Sequence, residues 1–116
     1  MLKSFLLVGA GGMVGSMLRY AFYVILKSSV WTTFSVNIIG SFAIGLIIGY
    51  AQRIEHPQNM QLLLATGVCG GFTTFSAFSA DNVRLFNEGN IGTALIYSAL
   101  SVVLGVLFTF IGYKLV

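Results

Sequence analysis

Apolar residues run along this chain in four long stretches, separated by three short polar links. The stretches are Ser4–Leu26, Thr32–Ala51, Gln61–Phe86 and Ile91–Tyr113. Each reaches about 20 residues, the length a helix needs to cross the hydrocarbon core of a bilayer. The links are Lys27-Ser28-Ser29, the polar run from Gln52 to Met60 that holds the only proline, and Asn87-Glu88-Gly89-Asn90. The pattern predicts an all-α membrane protein with four transmembrane helices, residues 1–116 forming one transmembrane domain. An even number of spans puts both termini on the same side of the membrane.

The third stretch carries a fault. Gly67-Val68-Cys69-Gly70-Gly71-Phe72-Thr73-Thr74 would be a poor continuous helix, because three glycines and two threonines weaken it. The span is therefore predicted to break near residues 67–74, leaving pieces at Gln61–Thr66 and Phe75–Phe86 that are each too short to cross alone. Backbone that is unpaired at membrane depth is tolerated only inside protein or beside a wet cavity. Discontinuous helices of this kind commonly supply ion sites from exposed carbonyls and helix ends. A glycine-lined packing contact is the plainer alternative.

Small and polar residues recur every four positions. Asn37, Ser41, Gly45 and Gly49 share one face of the second span. Gly11, Gly15 and Arg19 do so in the first span, with Gly12 and Ser16 beside them. The fourth span has Thr93, Tyr97, Ser101, Gly105 and Thr109 at the same spacing. Close helix packing in lipid accounts for most of the glycines. It accounts less well for Asn37 and Arg19. An arginine within a span costs roughly 2.5–3.5 kcal/mol on insertion scales, so it faces protein or water. Arg19 is read either as a clamp, on Asp81 or on backbone carbonyls, or as positive potential at an anion vestibule. Asp81 and Arg84, three residues apart, can pair with each other.

Composition narrows the class. Hydrophobic residues make up 57% of the chain and charged ones 8%, far below the ~25% with which soluble domains cover their surface. The six basic residues are scattered singly and form no patch for nucleic acid. Met1–Val8 has the look of a signal peptide, but no small-residue cleavage site follows, so it is read as the start of a retained span. Lys3, Arg53 and Lys114 fall on the side of the termini, while Lys27, Arg84 and Arg19 fall on or nearest the other. Lys/Arg excess normally sets orientation. A balance of three against three arises either by chance or from dual topology, in which the protein inserts both ways and pairs with an inverted copy. Cys69 is read as a small buried hydrophobe, and Glu55, His56 and Glu88 as loop residues. No nucleophile triad, metal-ligand cluster or phosphate loop emerges, which argues against an enzyme.

Asn, Ser, Thr and Tyr side chains lining a pore offer neutral hydrogen-bond donors to a small anion. Carboxylates are missing from the middle of every span, which disfavours a cation or proton pathway. Phe75 and Phe78 lie just past the break and three apart. Aromatic rings have positive edges, so two such edges turned to a pore would stabilise an anion, although from spacing alone packing or lipid contact is the better explanation.

Over nearly its whole length the chain resembles the CrcB/Fluc family of fluoride channels. Three segments carry the likeness: Gly11-Gly12-Met13-Val14-Gly15-Ser16-Met17-Leu18-Arg19-Tyr20, Thr33-Phe34-Ser35-Val36-Asn37-Ile38-Ile39-Gly40-Ser41-Phe42, and Gly67 through Ser79 with the Gly70-Gly71-Phe72-Thr73-Thr74-Phe75-Ser76-Ala77-Phe78 core. The resemblance implies an antiparallel, dual-topology homodimer with two fluoride pores, passively exporting fluoride across a bacterial inner membrane. It implies a structural sodium ion on the dimer axis, held by the Gly70 and Thr73 carbonyls of both copies. Phe75 and Phe78 would form an aromatic box, and Asn37 would donate to fluoride. Thr74, Ser79, Tyr97 and Ser101 would continue a polar track, and Arg19 would stand near the vestibule. Ser16, Trp31-Thr32-Thr33 and Ala77 depart from the family pattern without removing a proposed ligand. The competing readings are a small dual-topology multidrug exporter, which would want a carboxylate within the first span, and a non-transporting membrane scaffold.

Overall fold

In a computed structural model that describes every residue from Met1 to Val116, the chain is helical throughout, apart from short links. Helix α1 spans Leu2–Leu26 and α2 spans Val30–Ala51. Helix α3 covers residues 58–72, α4 spans Phe75–Asn87 and α5 spans Ile91–Leu115. The four predicted spans are present, with the third divided between α3 and α4.

Local chemistry sets the element ends. Ser29 caps α2 by accepting the Thr32 N–H at 3.2 Å. Pro57 stands just before α3, where its missing N–H removes no helical bond. The link from α4 to α5 turns at Gly89, whose φ of 80° suits a residue without Cβ.

The break is narrower than residues 67–74. Gly67, Gly70 and Gly71 remain helical, and only Thr73 and Thr74 are extended. The helix has instead widened upstream, since Gln61–Cys69 bonds in the π pattern. The Gly70 N–H reaches back five residues to the Ala65 carbonyl and also contacts that of Gly67. The glycines serve contact rather than breakage. A Cβ on Gly11 would overlap the Leu63 carbonyl and lie 2.8 Å from the Gly67 Cα, and one on Gly15 would overlap the Val68 carbonyl. Thus α1 and α3 run parallel with their backbones touching, a mode that lipid-embedded helices use for want of a hydrophobic drive between them.

The same device joins α2 to α5. A Cβ on Gly45 would overlap the Thr109 carbonyl, and one on Gly49 would lie 2.6 Å from that of Tyr113. Polar bonds join further helices: Tyr23 Oη pairs with Thr33 Oγ1 at 2.6 Å between α1 and α2, and Ser98 Oγ donates to Asn82 Oδ1 at 3.0 Å between α5 and α4. A small apolar cluster of Val30, Leu85, Ala94 and Tyr97, flanked by Phe34 and Phe78, seals one end. Only 18 of 116 residues are buried, while Phe5, Leu18, Ile25, Val103 and Leu107 face outward. In water that surface would be ruinous. In hydrocarbon it carries no penalty, and most backbone groups are paired within the helices.

Candidate functional site

Breaking the third span redirects three backbone bonds, and the redirected groups define the site. In a continuous helix the Thr74 N–H would pair with the Gly70 carbonyl. Here it goes to Asn37 Oδ1 at 2.8 Å, while Asn37 Nδ2 donates to the Thr74 carbonyl at 3.1 Å. The two bonds fix which end of the Asn37 amide carries nitrogen. They also leave the second Nδ2 hydrogen free. The Ala77 N–H, the regular helical partner of the Thr73 carbonyl, instead donates to the Thr74 hydroxyl at 3.0 Å, which caps α4. The carbonyls of Gly70 and Thr73 have therefore both lost their helical donors to side chains. The Gly71 carbonyl, whose helical donor would be Phe75 across the break, accepts from Arg19 Nε at 3.0 Å.

An open cleft of about 430 Å³ lies against this break. Asn37, Gly70, Thr73, Thr74, Phe75, Phe78 and Ser101 all line it, joined by Ser41 and Cys69, and no carboxylate does. Seven residues expected at the site on sequence grounds are thus brought together. Phe75 stands at the rim, 78% exposed, with its ring centroid 5.6 Å from that of half-buried Phe78. Thr73 turns its hydroxyl back to the Cys69 carbonyl at 2.8 Å, which leaves its own carbonyl as its contribution to the cleft.

Three expected residues lie elsewhere. Tyr97 is fully buried behind Phe78, with ring centroids 5.1 Å apart, and its hydroxyl donates to Asp81 Oδ2 at 3.0 Å. Arg19 reaches the break from α1 and lines no part of the cleft. Ser79, one turn into α4, is not among the lining residues. Asp81 also pairs with Arg84 at 3.5 Å, the pairing that the i,i+3 spacing suggested. The bond from Tyr97 to Asp81, sixteen positions apart, had no sequence signal beyond Asp81 being the only acid within a span. Ser41 was not among the site residues expected from the sequence, where it stood in a small-residue ladder and in the second family segment, yet it lines the cleft.

Four apolar helical spans, the third split around polar backbone, define a multi-pass membrane protein with a discontinuous helix. Residues 6–113 match the family described as CrcB-like protein, Camphor Resistance (CrcB). The chain belongs to this CrcB family. Its relatives include proteins named fluoride-specific ion channel FluC. One from Thermus thermophilus is 40% identical across 98% of this chain and 95% of its own length. That of Agrobacterium fabrum is 42% identical across 94% of this chain and 92% of its own. That of Azobacteroides pseudotrichonymphae is 37% identical across 99% and 97% respectively.

Proposed function

We propose that the chain forms a fluoride-selective channel through which fluoride leaves the cell passively, relieving its toxicity. The observation that carries this reading is the cleft at the break, where neutral polar side chains and two phenylalanines converge without a carboxylate. A small anion needs partners that replace its water shell without holding it too tightly to leave. The free Asn37 N–H and the Thr74 and Ser101 hydroxyls supply donors, and the Phe75 and Phe78 ring edges supply weak positive potential. The names of its relatives narrow the anion to fluoride. Ser79 extends the polar side of the path beyond the cleft, Tyr97 supports it from behind Phe78, and Arg19 adds positive potential while it fixes the break.

The functional unit is an antiparallel, dual-topology pair with two pores, in a bacterial inner membrane. Two observations favour an inverted partner. The Lys and Arg residues are balanced between the two sides, and the cleft is open along one flank of a single chain. A structural sodium ion fits the same arrangement. The Gly70 and Thr73 carbonyls are hard oxygen donors freed from the helix, and one chain provides too few of them to replace a cation's hydration shell. Bound on the axis by both copies, the ion would supply fixed positive charge and cross-link the two breaks.

The test is efflux from liposomes loaded with fluoride and reconstituted with the purified protein, read with a fluoride electrode. Fluoride is expected to leave faster than from protein-free liposomes, and at least tenfold faster than chloride from matched liposomes. Release no faster than from protein-free liposomes sinks the reading and leaves the scaffold. Uptake of a cationic dye driven by a proton gradient, without fluoride flux, would indicate the exporter.

A further inference from the structure

Phe75 and Phe78 line the cleft, but the cleft does not hold them in place. Phe75 is largely exposed, and its one ring neighbour is Phe78, 5.6 Å away between centroids. Phe78 is half-buried and leans in turn on Tyr97, at 5.1 Å. Tyr97 lies outside the cleft and fully buried, with its hydroxyl tied to Asp81. The order of the two cleft rings therefore depends on what stands behind Tyr97.

Trp31 stands there. It is the sole tryptophan, the second residue of α2, and one of the positions at which the chain departs from the family pattern. Its ring meets that of Tyr97 at 6.1 Å with an interplanar angle of 74°. It also meets Phe34, one turn on, at 5.8 Å and 78°. Both are edge-to-face arrangements at favoured separations. Four rings from three helices thus run in series, Trp31, Tyr97, Phe78 and Phe75, from the end of α2 to the rim of the cleft. A tryptophan near the end of a span ordinarily serves as an anchor at the headgroup level. An anchor needs only a ring turned to the interface. Trp31 is 46% exposed, and two rings of the protein pack against the rest of it.

We infer that Trp31 is a positioning residue for the cleft phenylalanines. It lines no part of the cleft and acts by wedging Tyr97 against Phe78. The inference rests on the channel reading and deepens it, by naming a residue remote from the cleft that sets how firmly Phe78 is held beside the anion. Without the indole, Tyr97 keeps an aromatic wall on one side only and can tilt away from Phe78. Phe78 then loses its backing, and Phe75, which has no other ring to lean on, loses order with it.

The experiment reads single-channel fluoride current in planar bilayers, because that current does not depend on how much protein folds. Trp31→Ala removes the ring, and Trp31→Leu replaces it with apolar bulk. Each should lower the current roughly 2- to 10-fold, the range that one aromatic pair is worth. Trp31→Phe keeps a ring and should conduct like wild type. A role in anchoring alone would change the yield of folded protein and leave the current of each channel untouched. The indole also supplies a second measurement. Phe78→Leu should weaken the near-ultraviolet circular dichroism of Trp31, although the ring between them belongs to Tyr97. A Trp31→Leu protein with wild-type current overturns the inference, and so does a Trp31→Phe protein as impaired as Trp31→Ala. If the position 31 variants do not fold, the dichroism decides, and an unchanged tryptophan band in Phe78→Leu overturns it. A silent wild type removes the channel reading and this inference with it. A conducting wild type with unaffected variants removes the inference alone.

Discussion

Asn37 shows how one side chain makes a broken helix tolerable within a membrane. Its amide completes both backbone groups of Thr74, at 2.8 and 3.1 Å, at a depth where no bulk water can do so. Removing it should therefore act first on stability. Asn37→Ala strands an N–H and a C=O, at about 1–3 kcal/mol for each group left without a partner. Chemical unfolding in detergent should show a destabilisation of that order before any flux is measured. An unchanged midpoint would mean that the amide does not hold the break. On sequence grounds Asn37 was expected as a donor to an anion, and its position was legible because an asparagine on an otherwise small face of a span needs a reason. Its clamp on Thr74 was not, because the pairing spans 37 residues and depends on where the break falls. Arg19 is similar. Sequence offered Asp81 or backbone carbonyls, and the fold placed the Gly71 carbonyl within 3.0 Å.

At the scale of elements, the two seams α1–α3 and α2–α5 are made by backbones that touch through glycine. This divides the glycines by function in a way that composition does not. Gly11→Ala and Gly45→Ala would drive a methyl group into the carbonyls of Leu63 and Thr109, so one of the two helices must shift. Overpacking of this kind costs typically about 1–3 kcal/mol. Gly9 and Gly92 have nothing within 4 Å of a Cβ, and Gly9→Ala and Gly92→Ala should be neutral or mildly stabilising. Thermal melts of the four variants check the division. Equal effects in all four would remove the seams. The same contacts explain why the predicted break was too wide. Glycine lowers helix propensity on average, yet Gly67 and Gly71 stay helical because α1 packs directly against them. The gap falls instead at Thr73–Thr74, where side chains outside the helix take up the backbone groups.

The whole molecule is a scaffold with little interior. Its outward surface is apolar on nearly every side, and its cleft opens along one flank. The proposed inverted pair makes a measurable claim about orientation. Glu88 is exposed in the α4–α5 link, and the sole native cysteine, Cys69, which lines the cleft, is removed by Cys69→Ala to give a silent background. Glu88→Cys in intact cells should therefore react with an impermeant maleimide for about half of the population, the rest reacting only after permeabilisation, as balanced Lys/Arg loops imply. Labelling wholly from one side would exclude dual topology.

The sequence by itself determined the number of spans, the split of the third, and the residue types available to an ion path. Each of these depends on local composition measured against a bilayer of fixed thickness. It also carried the family likeness, because the motifs are contiguous. Only the tertiary structure decided that the break is two residues long and which carbonyls it frees. Only the fold showed that Tyr97 is bonded to Asp81, and that Ser41 lines the cleft. Those outcomes turn on which groups of distant helices lie within reach of an unpaired donor or acceptor. The split third span that the sequence marked therefore owes its final form to α1 and α2, the helices packed beside it.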